Sequence, residues 1–232
     1  MKLDTGKYNL DEKEYKRLVE EMYNKYRDGI NLPPEYAHFI QEDLLRFLIR
    51  LARYKFVAKM LKKSDKILEV GSGSGMGSIF LGQHCKHVTG IDVKTTDVQE
   101  ANNLNKRKNV KFIVQDLFKM EKNRIFDVVA SLDVIEHMPI EMGYKLMKAQ
   151  AQHIHKENGM VIVGTPSIWS FDHQSPISQA SHVKCYDLPE LMELMDKYFY
   201  RTIAFSMNDE MVHTGFHKMA WYYFVIGFGR KA

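Results

Sequence analysis

The sequence predicts an α/β fold: a doubly wound, seven-stranded, mostly parallel sheet behind an N-terminal helical cap. Three observations predict it. Short apolar runs alternate with helical patterns from about residue 65 onward. A glycine-rich turn, Glu69-Val70-Gly71-Ser72-Gly73-Ser74-Gly75, joins the first of these runs to a helix-like segment. Hydrophobic residues make up 45 % of the 232 residues, enough for a sizeable core without disulfides or metals.

Residues 11–28 are charged, with Tyr15, Leu18, Met22 and Tyr26 spaced as on one face of a helix. Pro33-Pro34 breaks the chain. Residues 35–63 carry a long helical pattern, in one or two pieces. Strands are then expected at 66–70, 87–91, 110–114, 126–132 and 160–164. Helices are expected at 76–83, 97–106 and 143–155 between them. Residues 165–186 contain Pro166, Pro176 and several serines, show no period and read as a long loop, functional or disordered, with Trp169, Phe171, His173 and Gln174 as candidate lid residues. A helix over 188–198 and two strands, 199–206 and 221–229, complete the chain. The domain division predicted is a helical cap over 1–64 and a ligand-binding domain over 65–232.

The 33 basic and 29 acidic residues nearly cancel, which argues against nucleic acid as a partner. Cys85 and Cys185 form no CxxC pair, so neither a zinc ribbon nor a redox motif is expected. Two free thiols, no signal-peptide pattern and no apolar run of roughly 18 residues predict a cytoplasmic chain without a membrane span. The N-terminal helices are candidates for a homodimer contact.

Glycines in the 69–75 turn permit a tight bend and close approach of a ligand to the backbone. The second strand ends at Asp92, about 20 residues on, where a carboxylate can accept ribose hydroxyls. The third strand runs into Gln115-Asp116-Leu117. There Asp116 could take an adenine amino group, or simply cap the next helical turn.

The pieces ILEVGSGSG, VTGIDV, VQDLF, FDVVASLDVIEHM and GMVIVGTPS cover about residues 66–167. Together they resemble the class I S-adenosylmethionine-dependent methyltransferases. The resemblance implies a Rossmann-like methyltransferase fold with S-adenosyl-L-methionine as cofactor. It implies Glu69, Gly71, Ser72, Gly73 and Gly75 around the methionine end, and Asp92 with Val93 at the ribose. It further implies Asp116 and Leu117 at the adenine, and Ser131 and Leu132 near the sulfonium.

Asp133, Glu136 and His137 follow the fourth strand. If the chain turns helically there, positions i, i+3 and i+4 share a face, and two carboxylates with an imidazole make a plausible metal site. The run resembles the acid-x-x-Glu-His motif of the ubiquinone-biosynthesis O-methyltransferases and the small-RNA 2′-O-methyltransferases. The latter add a histidine from a later loop, and His182 stands at the matching place. Asp133 replaces the usual Glu. The expected metal set is therefore Asp133, Glu136, His137 and His182, holding Mg or Mn. His137 and His182 are also the candidate general bases.

The basic stretch Arg46, Arg50, Arg53, Lys55, Lys59, Lys62, Lys63 and Lys66 could attract a phosphorylated or nucleotide-linked substrate, but reads mainly as a solvated helix face. His213 and His217 read as structural or surface histidines between the last two strands. The function expected is metal-assisted O-methylation of a small polar hydroxyl substrate: a sugar, a sugar nucleotide or a catechol-like metabolite. Rival readings are methylation of an RNA terminal 2′-hydroxyl, a metal-free methyltransferase with a histidine base, and a non-catalytic binding module on the same fold. An NAD-dependent oxidoreductase is disfavoured, because the third glycine of GxGxxG falls one position late, at Gly77.

Overall fold

The computed structural model describes residues 12–231. They fall into two compact units, parted between Leu32 and Pro33. Of the first unit, the described part is one helix, α1 (Glu12–Tyr26), laced on its surface by Arg17 with Glu14 and Glu21. No side chain of α1 is buried.

The second unit opens with α2 (Pro34–Glu42) and α3 (Leu44–Met60). They are the two pieces of the long predicted pattern. Asp43 makes the break: its carboxylate caps α3 by accepting the Arg46 N–H at 3.1 Å. The sheet strands follow as β1 (Lys66–Val70), β2 (His87–Asp92), β3 (Val110–Val114), β4 (Val128–Leu132), β5 (Met160–Pro166), β6 (Phe199–Asn208), β7 (Met211–His213) and β8 (Tyr222–Arg230). Between them lie α4 (Met76–Leu81), α5 (Thr95–Leu104), α6 (Ile140–His153), α7 (Pro176–Ser181) and α8 (Leu188–Asp196).

The strand order is β3-β2-β1-β4-β5-β8-β6-β7. Strands β1 to β5 pair in parallel, and β8, β6 and β7 add antiparallel ladders. The sheet thus has eight strands, one more than expected. The extra one, β7, is three residues long and pairs with the end of β6, Ser206 opposite His213. So short a strand has no readable alternation.

Successive strand residues feed opposite faces, as the pleat requires. Ile67, Val128 and Ile162 pack with α3, α4 and α5 on one side. Leu68, Val129 and Val161 pack with α6 and α8 on the other. Burial on both faces explains why these strands read as unbroken apolar runs. Phe56 of α3 reaches Phe224 of β8, with ring centroids 4.3 Å apart, so this helix is part of the packed sandwich.

The segment 165–186 is more ordered than its sequence suggests. A 3₁₀ turn, Ile168–His173, is started by the Ser167 hydroxyl, and α7 by the Ser175 hydroxyl. The serines that looked like loop composition are helix caps. No helix among the described residues is long and apolar enough to cross a membrane.

Candidate active site

The sheet order reverses between β1 and β4, and ligands of such sheets bind at the carboxyl ends flanking that switch. The residues expected to hold the cofactor leave β1, β2 and β3 there. Gly71, Gly73 and Gly75 all have positive φ, at 74°, 49° and 90°, and Gly75 starts α4 from the left-handed region. A side chain on Gly75 would meet Ala101 at 2.6 Å and Phe112 at 2.7 Å. One on Gly73 would meet nothing within 4 Å, so the turn opens there onto free space.

Asp92 ties this turn to β2. One oxygen accepts the Gly73 N–H at 2.9 Å, the other the Lys94 N–H at 3.0 Å. Val93 beside it is exposed, whereas Leu117 and Leu132 are buried. Asp116 does cap: it accepts the Phe118 N–H at 2.9 Å and starts the turn Leu117–Lys119. Ser131 is buried and accepts a hydrogen bond from Gln150 at 2.8 Å.

Glu69 is buried at the end of β1, where the Ser78 hydroxyl donates to it. Burial pushes its pKa up to about 7, against the opposing pull of the Ser78 and Tyr54 hydroxyls and of Arg50. Its Oε1 and the buried Ser72 hydroxyl have no protein partner among the described residues. Unpartnered buried polar atoms beside an open glycine turn suit a polar ligand such as the amino-acid end of S-adenosylmethionine. Tyr36 of α2, which no motif marks, reaches the start of α4, where its hydroxyl oxygen accepts the Met76 N–H at 3.0 Å.

Beyond β4, three expected metal residues come together. Glu136, His137 and His182 offer ligand atoms within 4.8 Å of one another. A 3₁₀ turn, Ile135–His137, carries the first two, and His182 follows α7. The loop is strung to the turn by Val183 and Lys184 N–H groups, which donate to the Glu136 carbonyl at 2.7 and 3.0 Å. The His137 Nδ1 lies 3.0 Å from the Ser181 carbonyl, and a carbonyl can only accept, so Nδ1 is the donor and Nε2 is the nitrogen with a lone pair in the neutral ring. Thr165 donates to one Glu136 oxygen at 2.9 Å. The other oxygen and His182 Nδ1 have no protein partner among the described residues. Burial and then the Asp133 charge push Glu136 up to about 8. Burial and then His137 hold His182 below the usual imidazole range.

Asp133 stands apart from this trio. Helical geometry was expected to carry it onto the same face, but the helical turn begins only at Ile135. Asp133 itself sits at φ 57°, in the left-handed region, so the i, i+3, i+4 spacing does not apply to it. Arg53 Nη1 lies 2.7 Å from each of its oxygens and stacks over Tyr222 with the guanidinium carbon 4.0 Å from the ring centre. Nothing in the sequence marked Arg53, which read as one charge on a solvated helix face 80 residues away. Arg50 is likewise spoken for, by Glu35.

Among the other candidates, Trp169 donates its indole N–H to Asp187 at 3.1 Å, and His173 packs against Trp221 with ring centres 5.5 Å apart. His213 lies on β7, where its Nδ1 accepts the Gly215 N–H, and His217 lies 3.4 Å from Asp187.

A family model described as a methyltransferase domain matches residues 61–213. The chain belongs to the class I S-adenosylmethionine-dependent methyltransferases. It is 28 % identical over 165 residues to the ubiquinone biosynthesis O-methyltransferase of Rickettsia canadensis, a match covering 68 % of this chain and 64 % of that one. A second relative of the same description, from Rickettsia akari, is 32 % identical over 102 residues, covering 43 % of this chain and 39 % of its own. The chain thus matches less than two thirds of the length of these relatives. In structure, this methyltransferase superposes on an S-adenosylmethionine-dependent methyltransferase from Thermotoga maritima with a TM-score of 0.66 at 16 % identity, over 90 % of this chain and 98 % of that one. The methyltransferase domain of bacterial CtHen1-C gives 0.62 at 18 % identity, over 78 % and 99 %.

Proposed function

We propose that this methyltransferase moves the methyl group of S-adenosylmethionine to a hydroxyl oxygen of a small polar acceptor, a sugar, sugar nucleotide or catechol-like molecule, held by a divalent cation. The observation that carries the reading is the trio Glu136, His137 and His182 at the sheet edge, with one carboxylate oxygen, one Nδ1 and one Nε2 lone pair left over. A divalent ion bound there would supply Lewis acidity, lowering the pKa of an acceptor hydroxyl and fixing its oxygen. Two imidazoles and one carboxylate suit Mn better than Mg, which prefers oxygen donors.

The protein's own share is positioning. The 69–75 turn and Asp92 anchor the nucleoside, and Glu69 receives the α-ammonium. The acceptor oxygen bonds the methyl carbon as the carbon–sulfur pair returns to sulfur, in line, so geometry supplies much of the rate. The hydroxyl proton passes to a base at the edge of the site. In the cation-free variant His182 suits that role, because its burial and its neighbour His137 favour the neutral ring and leave Nδ1 unpartnered; with a cation on that nitrogen the proton leaves to solvent instead. The same observation supports a metal-free variant of the mechanism, with His182 as sole base.

The test is methyl transfer from labelled S-adenosylmethionine to 3,4-dihydroxybenzoate and to uridine diphosphate glucose, before and after EDTA. The proposal expects activity on at least one of them to fall more than tenfold and to return with Mn. Activity that survives metal removal supports the histidine base alone. Binding of S-adenosylhomocysteine without transfer to either acceptor would contradict the acceptor class.

A further inference from the structure

The chain has two tryptophans, and neither is in the core. Trp169 is 49 % exposed and Trp221 51 % exposed, although tryptophan is on average a well-buried residue. Both lie off one edge of the sheet. β5 ends at Pro166 opposite Tyr222, the first residue of β8, so the backbone leaving one strand runs beside the backbone entering the other. The Ser167 N–H donates to the Trp221 carbonyl at 2.9 Å. This is the carboxyl end of β5, the neighbour of β4, from which the metal-site turn departs. His182 lies five residues before Asp187, the partner of Trp169, so the backbone between them spans at most about 18 Å.

Trp169 is also held rigidly. Its backbone N–H donates to the Ser167 hydroxyl at 3.1 Å, and its indole N–H to Asp187 at 3.1 Å. Asp187 itself is fixed by the Leu188 N–H at 2.8 Å. With its polar atom satisfied inside the protein, the ring's open surface is left for stacking. Lys218 Nζ stands 5.0 Å from the ring centre and is exposed. Phe216 and Met219, also exposed, extend the apolar surface. Large apolar side chains exposed this close together in the chain suit a binding surface. A pre-fixed ring with an exposed ammonium over one face leaves the other face for a flat ligand, and the ammonium favours negative charge on it.

We propose that Trp169, Trp221 and Lys218 form the acceptor subsite, a platform for a planar ring that carries a carboxylate or phosphate. This rests on the reading that the acceptor enters at the carboxyl edge of the sheet. It adds to that reading an anionic, ring-bearing acceptor and the residues that choose it.

Both tryptophans report on the subsite. In the full chain carrying Trp221→Phe, Trp169 is the sole tryptophan, and its fluorescence is titrated with 3,4-dihydroxybenzoate, uridine diphosphate glucose and neutral catechol, with S-adenosylhomocysteine bound. The expected result is saturable quenching by at least one anionic probe, at least tenfold tighter than by catechol. Lys218→Ala should weaken the anionic probe at least fivefold while leaving S-adenosylhomocysteine affinity, measured by calorimetry, unchanged. The benzoate and the nucleotide arms distinguish a carboxylate from a phosphate ligand. Normal S-adenosylhomocysteine binding with no quenching by either anionic probe, or with no effect of Lys218→Ala, would overturn the subsite alone. Failure to bind S-adenosylhomocysteine would instead overturn the reading on which it rests.

Discussion

Three side chains carry most of the consequences at the residue scale. Glu69 is buried with a pKa near 7, raised from its ordinary 4.5. A carboxylate whose folded pKa is raised favours folding most when protonated, so its contribution is full below about pH 4.5 and is lost as pH climbs through 7. A shift of that size is on the order of 3 kcal/mol. Glu69→Gln should therefore stabilise the ligand-free protein at pH 8 and change it little at pH 4.5, as read by denaturant unfolding at both pH values. A gain larger at pH 4.5 than at pH 8 would show the sign is wrong. Arg53 and Asp133 form the second case. Removing one partner of a shielded pair strands the other, so Arg53→Met should cost about 3 kcal/mol. Because Asp133 leads into the turn carrying Glu136 and His137, the same variant should also weaken Mn binding severalfold. A variant of wild-type stability and metal affinity would make the pair incidental.

At the scale of elements, the glycine turn separates stability from binding. Gly75→Ala meets Ala101 and Phe112 at under 3 Å with φ at 90°, and should cost well over 2 kcal/mol. Gly73→Ala meets no atom, so the left-handed backbone alone should cost about 1 kcal/mol. Its methyl instead projects toward the space proposed for the cofactor. Thermal unfolding paired with S-adenosylhomocysteine calorimetry should show Gly75→Ala losing fold and Gly73→Ala losing mainly affinity. Equal effects of the two on stability would refute the distinction. These glycines, and the strands around them, were legible because a parallel strand buried on both faces must be an apolar run and a tight turn must be glycine-rich. What stayed hidden was short or long-range. The turn 168–173, α7 and β7 are too brief to carry a period. The left-handed Asp133 breaks an assumed helix, and no neighbour in Asp-Val-Ile-Glu-His announces it. Arg53 meets Asp133 only through the packing of α3 against the sheet. The gathering of Glu136, His137 and His182 was legible from the motif, while the departure of Asp133 from it was not.

For the molecule as a whole, the sheet order decides where chemistry can happen. Strands β1 to β3 lie to one side of the switch point and β4 and β5 to the other, and the glycine turn after β1 lies beside the turn after β4, where a Cβ on Gly71 would come within 2.5 Å of Val134. Trp221 enters the antiparallel β8 at the same carboxyl end, so the proposed donor, cation and acceptor subsites would lie along one end of the sheet. The mildly positive net charge, +4, leaves selectivity to that end rather than to a global field. A cofactor product that binds only the folded chain should raise its melting temperature with concentration. At 100 times its dissociation constant the stabilisation should be about 2.7 kcal/mol.

The central proposal is that Glu136, His137 and His182 hold one divalent cation at the carboxyl end of the sheet. Electron–nuclear double resonance on the Mn-loaded protein, with histidine labelled by nitrogen-15, tests it most directly. Two coupled histidine nitrogens on one bound ion, reduced to one in His182→Ala, is the predicted spectrum. A bound ion without histidine coupling, or no bound ion at all, would contradict the account.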